Sequence, residues 1–251
     1  MSLKTGPPGI SSTGRRCCAW PATGTRIFLI FALVLAASGI RVGAATASES
    51  QAAGILAKME SAYAKVESYQ AEMEVREYRK GSYLESKRFH YTFRKPNQLR
   101  IDMHSPQPGT VLIYPDRGGK VALRPGGWTG FVTLHLAPDN AMLASGSGQR
   151  IDQSDFGLLL RNMRHSITDQ RRGAVVLSES EGRICIEVLA QDHFVAGAQT
   201  LYRFVVDSVR WLPQEVHELT PNGAPKRVSL FKDLKTSLPI SDSSFRIEET
   251  N

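Results

Sequence analysis

QTLYRFVVDSVRWLPQEVHELTPNGAPKRVSLFKD, residues Gln199 to Asp233, reads as three consecutive antiparallel strands. Thr200 to Asp207 is rich in β-branched and aromatic residues, and Asp207 to Arg210 forms a short turn. Trp211 to Leu219 alternates apolar and polar residues. Pro221-Asn222-Gly223 supplies a second turn before Lys226 to Phe231 runs back. Paired strands with aromatic cross-strand neighbours need an apolar cover. Whether that cover is protein alone, or protein with a bound lipid, decides what the chain does.

Outward from this meander, the same alternation recurs upstream. Tyr69, Ala71, Met73 and Val75 share one face, opposite Gln70, Glu72, Glu74 and Arg76. Phe89, Tyr91 and Phe93 repeat it, then Leu99, Ile101 and Met103, with the turns Lys80-Gly81-Ser82 and Lys95-Pro96-Asn97 between. Thr110 to Tyr114 and Lys120 to Arg124 form a hairpin around Pro115 to Gly119, and Gly173 to Ser178 pairs with Arg183 to Leu189. Ser241 to Ile247 is expected as a closing strand that sets Phe245 against the sheet. Two segments have helical spacing instead. Ser48 to Ser68 carries a stripe of Ile55, Met59, Ala62 or Tyr63, and Val66. Ser154-Asp155 opens a second helix with Phe156, Leu159, Leu160 and Met163 on its buried side. Trp128 to Arg150, rich in Gly, Ser and Ala, is expected as a loop with a short helical piece.

The N-terminal 47 residues stand apart. Lys4, Arg15, Arg16, Arg26 and Arg41 occur with no acidic residue, Ile27 to Ile40 is apolar or small throughout, and Ala45-Thr46-Ala47 precedes Ser48. This order of basic, apolar and small-residue regions reads as a secretory signal peptide over 1–47, with an uncleaved inner-membrane anchor as the alternative. The apolar run of 14 residues is short against the roughly 20 that a membrane span needs. Without those five cations the excess of 31 basic over 24 acidic residues falls to +2, so the charge calls for no nucleic acid. Cys185 is then the single thiol, expected in a buried strand, and no internal disulfide can form. Residues 48–251 contain no repeat and no linker, and read as one domain of about ten strands with two or three helices.

Several motifs resemble a known family. A helix leads into V-x-S-Y (Val66 to Tyr69), followed by F-x-K-P (Phe93 to Pro96) and L-R-I-D (Leu99 to Asp102). Later come V-D-x-x-x-x-L-P (Val206 to Pro213), the Asn222-Gly223 turn, F-K-D-L (Phe231 to Leu234) and Phe245 after Ser241-Asp242. In order and spacing this is similar to the LolA/LolB-type outer-membrane lipoprotein carrier superfamily, in an uncharacterised bacterial branch. The resemblance implies a mainly β fold with helices (α+β): a strongly curved antiparallel sheet forming an unclosed half-barrel, its concave face covered by helices over an apolar cavity. A sheet of about ten twisted strands must in any case curl or split. On that reading Met73, Val75, Phe89, Tyr91, Phe93, Leu99, Ile101 and Met103 line the cavity. The family is also expected to latch its helical lid with an interior arginine. Arg203, between Leu201 and Val205, is the one residue that could serve, and Trp128 to Arg150 is the expected moving part.

Catalytic chemistry finds no constellation. The histidines at 90, 104, 135, 165, 193 and 217 are scattered, without H-E-x-x-H or a Cys/His cluster, so no metal site is expected. Ala144-Ser145-Gly146-Ser147-Gly148 lacks the first glycine of a nucleophile elbow, and no phosphate-cradling loop opens a helix. The expectation is a periplasmic, monomeric, non-enzymatic protein without cofactor that shields an acyl chain, lipid or lipoprotein. The alternative is an envelope signalling or scaffold module of the same fold, binding an inner- or outer-membrane partner protein. An exported hydrolase ranks third.

Overall fold

The computed structural model describes residues 42–143, 149–168 and 175–247. The segment expected as a leader lies outside these residues except for 42–47, and so does Ala144 to Gly148. Among the described residues, eleven strands form one sheet and two helices lie against it. The strands are β1 (Ser68–Arg79), β2 (Ser82–Arg94), β3 (Gln98–Ser105), β4 (Val111–Tyr114), β5 (Val121–Arg124), β6 (Leu134–Leu136), β7 (Val175–Ser180), β8 (Arg183–Gln191), β9 (Gln199–Asp207), β10 (Pro213–Leu219) and β11 (Pro225–Thr236). Their order is β6-β5-β4-β3-β2-β1-β11-β10-β9-β8-β7. Every neighbouring pair is antiparallel. The two ends of the order, β6 and β7, stay unpaired with each other, so the sheet is an open half-barrel.

The meander of Gln199 to Asp233 forms β9, β10 and the first part of β11. The last of these runs on to Thr236, because its second half pairs with β1: Phe231 faces Met73 and Thr236 faces Tyr69. A bulge between Gln70 and Glu72 accommodates Asp233 at φ 50°. Pairing β1 with β11 joins the first and last long strands, so the N-terminal and C-terminal halves form one continuous surface.

Helix α1 (Val42–Ala64) starts earlier and ends sooner than the spacing predicts, since Ser68 already belongs to β1. The Lys95 ammonium accounts for the stop. It donates to the carbonyls of Tyr63 (3.0 Å) and Ala64 (3.1 Å), groups left without partners at a helix C-terminus. Helix α2 (Phe156–Thr168) begins where expected, and Asp155 Oδ1 accepts the Leu158 N–H at 2.9 Å. Both helices pack on the β8–β10 half of the inner face: Ala52, Ile55, Leu56 and Met59 with Leu160, Met163 and Ile167, over Ile184, Ile186, Tyr202 and Phe204.

The closing strand expected over Ser241 to Ile247 is instead a 3-10 turn, Asp242–Phe245. Its serines and aspartate favour local hydrogen bonds over ladder pairing, and Ser244 N–H donates to the Ser241 carbonyl. Phe245 does reach the sheet, on its outer side, against Val111, Ile113 and Ala122. The segment after Trp128 also contains an extra strand, β6, which at three residues is too short to show a period.

Tyr69 at the start of β1 holds sheet and helix together. Its ring stacks on Phe156 with 4.3 Å between centroids and lies 5.1 Å from Phe93. Its hydroxyl accepts the Phe156 N–H at 3.2 Å, one of the unpaired donors at the start of α2. Tyr69→Phe should lower unfolding free energy by about 1 kcal/mol, and Tyr69→Ala by about 3–5 kcal/mol, in urea titrations. A Tyr69→Ala chain as stable as the native one would show that α2 is held elsewhere.

Candidate functional site

The helices leave part of the inner face uncovered. Between α2 and the strands β1, β2, β10 and β11 lies a cavity of about 220 Å³. Its apolar floor is Met73, Val75, Phe89, Tyr91, Val216 and Phe231, and its roof is Phe156, Leu158 and Leu159 of α2. Leu143, Gln149, Arg150 and Ile151 close one side. The volume exceeds the ~150 Å³ of an engineered apolar cavity that takes up benzene, so a hydrocarbon segment has room. Tyr91 Oη donates to the Ser154 carbonyl at 3.1 Å, which ties the segment before α2 to the sheet beneath the cavity.

Of the eight residues expected to line the cavity, Met73, Val75, Phe89, Tyr91 and Ile101 do so. Phe93 near the end of β2 and its partner Leu99 at the start of β3 lie on the same face, buried in the aromatic core around Tyr69. Met103 is partly exposed at the far end of β3 and is not among the lining residues. Arg203 faces away. It alternates with the inward Tyr202 and Phe204, and its Nη2 lies 2.6 Å from Glu187 Oε2 on neighbouring β8.

Among the described residues, the arginine buried on the inner face is Arg227 on β11, which lines the cavity. It bonds Glu218 of β10 through Nη2 and through Nε at 3.0 Å, and its guanidinium lies 5.5 Å from the Phe194 ring centre. Sequence reading passed over it because Lys226-Arg227 looks like the polar start of a strand. The cross-strand register carries the missing signal, since Arg227 pairs with Glu77 on one side and with Glu218 on the other. Glu77, Arg227 and Glu218 thus form a row of buried charges across three adjacent strands at one end of an apolar cavity.

His193 lines the same end. Its ring stacks on Tyr202 at 4.1 Å, and its Nε2 lies 2.8 Å from Ser166 Oγ. Burial lowers its pKa to about 4, against the pull of Asp192, with His165 and Arg227 adding to the depression. On the opposite, outer face, Glu72 Oε1 lies 2.7 Å from His90 Nδ1, and Glu72 Oε2 lies 3.3 Å from His104 Nε2. Among the described residues no group of three or more His, Cys, Asp or Glu could hold a metal ion. No described helix is long and apolar enough to cross a membrane.

No family model matches the chain, and no curated protein matches it. Among solved structures it is similar to MucB at 12% identity, with 79% of this chain covered and a TM-score of 0.49. It spans 63% of the length of that MucB chain. It is also similar to LprF from Mycobacterium bovis (11% identity, 77% of this chain, 97% of that one, TM-score 0.44). A LolA superfamily protein from Nitrosomonas europaea shows 13% identity over 78% of this chain and 97% of that one, with a TM-score of 0.36. The likeness is one of chain path alone.

Two outcomes follow from the buried charges. Arg227→Met strands the Glu218 carboxylate and should cost about 3–5 kcal/mol of stability, most of it recovered when Glu218→Leu is added. A double variant no more stable than Arg227→Met would show that the pair itself holds the sheet. For His193, the folded state binds a proton less readily than the unfolded one. Its contribution is therefore full above pH 6.5 and is lost as pH falls toward 4, by up to about 3 kcal/mol. His193→Gln should flatten that part of the stability profile in chemical unfolding between pH 7 and 4.

Proposed function

We propose that this protein is an exported, non-enzymatic lipid-binding protein that shields an acyl chain, of a lipid or a lipoprotein, in the cavity between α2 and the sheet. One observation carries the reading: the concave face is roofed incompletely, and the space beneath the helix is lined by Met73, Val75, Phe89, Tyr91 and Phe231. An ordinary core would fill such a space, because interiors pack to crystal-like density. The site of action is the periplasm, reached through the leader at 1–47, and residues 48–251 act as one binding domain.

The energetics suit a carrier. Burial contributes about 0.8 kcal/mol per CH₂, so a chain of about 16 carbons supplies on the order of 10 kcal/mol before ordering costs. That is strong enough to hold a chain and weak enough to release it. Entry requires the cover to move. The residues that close the cavity on one side, Leu143 and Gln149 to Ile151, belong to 3-10 turns and short connections rather than to long elements. Such segments have low local stability, so that side serves as the lid while α2 stays anchored by Tyr69.

A second reading is favoured by the surface beside β6, where Trp128, Phe131 and Met142 are exposed at 87%, 75% and 67%. Large apolar side chains next to a short edge strand suit a partner protein in the envelope. Native mass spectrometry of the purified protein separates the two readings: co-purified lipid supports the carrier, and a stoichiometric protein the module.

Titration with a neutral fluorescent acyl probe, such as a fluorescent fatty alcohol, should show saturable binding with a dissociation constant near the micromolar range, about −8 kcal/mol. Ser229→Phe projects bulk into the cavity from β11 and should weaken that binding at least about tenfold, while circular dichroism stays native. Absence of saturable binding, or a Ser229→Phe chain that binds as the native one does, removes the carrier reading.

A further inference from the structure

Glu77 is the one member of the charged row whose carboxylate has an oxygen left over. The residue is 7% exposed, lines the cavity, and its Oε1 has no hydrogen-bond partner among the described residues. Buried acceptors are normally satisfied, so an orphaned carboxylate oxygen inside a ligand-sized cavity needs an explanation.

The neighbours narrow what would satisfy it. Glu77 faces Glu85 of β2 on one side and Arg227 of β11 on the other, with Glu218 one strand further. Lys87, also on the cavity wall, lies 3.2 Å from Glu85 through its ammonium, and Arg227 is held by Glu218. Three carboxylates therefore share two cations, and each cation already has a carboxylate against it. The excess charge is one negative, and the unsatisfied oxygen sits on Glu77. Burial pushes the Glu77 carboxyl above its usual range, against the pull of Arg227 and Lys87, while Glu218 and Glu85 push the same way as burial. Arg227 and Lys87 thus act on the charge through space, but the described residues give Glu77 Oε1 no hydrogen-bond donor.

We infer that the Glu77 end of the cavity takes the headgroup of the bound amphiphile, and that the headgroup is a hydrogen-bond-donating cation, a primary ammonium. The inference rests on the acyl-binding reading above and adds polarity to it. The chain lies along Met73, Phe89 and Phe231, and the ammonium donates to Glu77 Oε1. An ammonium has the three donors and the charge that the row lacks, and a charge-assisted bond in a desolvated site is stronger than one from a hydroxyl. A fatty-acid carboxylate placed there would face three carboxylates and is disfavoured.

The test uses the purified full-length chain titrated calorimetrically at pH 7 with dodecylamine, 1-dodecanol and dodecanoate, each below its aggregation limit. Dodecylamine should bind about tenfold or more tighter than either of the others. Glu77→Gln, which keeps the shape and removes the charge, should abolish that preference and leave 1-dodecanol affinity within about threefold of native. Glu85→Gln, which removes the same charge from the same row outside the cavity wall, should retain the preference. Because the unpartnered carboxylate does not hold the fold together, Glu77→Gln should melt no lower than the native chain. Equal affinity for the three compounds, or a preference that survives Glu77→Gln, overturns the headgroup inference and leaves the acyl cavity standing. Failure of all three to bind overturns both.

Discussion

The contact between Tyr69 and Phe156 sets where everything else on the inner face can sit. Stacked rings and the N–H-to-hydroxyl bond fix the first turn of α2 above the start of β1. From that point the helix runs over β8 to β10, joins α1 through Arg164 and Glu60, and covers that half of the concave face. The other half, across β1, β2 and β11, receives only the helix's N-terminal turns. The cavity is the consequence of attaching one short helix at one edge of a wide, curved floor. A sheet of eleven strands with its twist cannot flatten to meet a thirteen-residue helix, and two helices do not span it.

The same geometry divides the polar from the apolar end. Inner-face residues of β1 read Tyr69, Ala71, Met73, Val75 and Glu77, so the strand passes from aromatic core to apolar floor to charge within five inward positions. The strand β11 runs antiparallel and mirrors it with Phe231, Ser229 and Arg227. Neighbouring strands in register therefore turn a gradient along one strand into a gradient across the cavity. On the proposed reading, an amphiphile meets such a gradient in one orientation only.

Most of the architecture could be read from alternation and turn chemistry. The strands from Tyr69 to Tyr114 and the meander after Gln199 obey the period of two, and their Gly, Asn and Pro turns mark their ends. What failed did so for local reasons. The extent of β11 was lost because Lys232 and Asp233 break the alternation at a bulge. The closing strand became a 3-10 turn because short polar side chains bond their own backbone. The site was legible in its apolar half only. Five of the eight expected lining residues surround the cavity because one face of an amphipathic strand is shared by core and pocket alike. Alternation cannot tell these apart, and so Phe93 and Leu99 fell in the core. Arg227 and Glu77 were invisible for the opposite reason. A charged residue at a strand end looks solvated until register sets it beside another charge under a roof.

Buried charges are a poor way to stabilise a sheet. The desolvation of Arg227 and Glu218 cancels much of their attraction, and apolar residues of the same volume commonly serve a fold as well or better. Here the pair sits at the rim of an apolar floor that would otherwise continue unbroken along β10 and β11. An apolar replacement would lengthen the hydrophobic surface and erase the end of the cavity. With the pair in place the floor terminates, and Glu77, whose Oε1 has no hydrogen-bond partner among the described residues, lines the cavity beside it. The row is thus better understood as a boundary than as a clamp. On the proposed reading it contributes little to holding the sheet and defines which end of a bound molecule is polar.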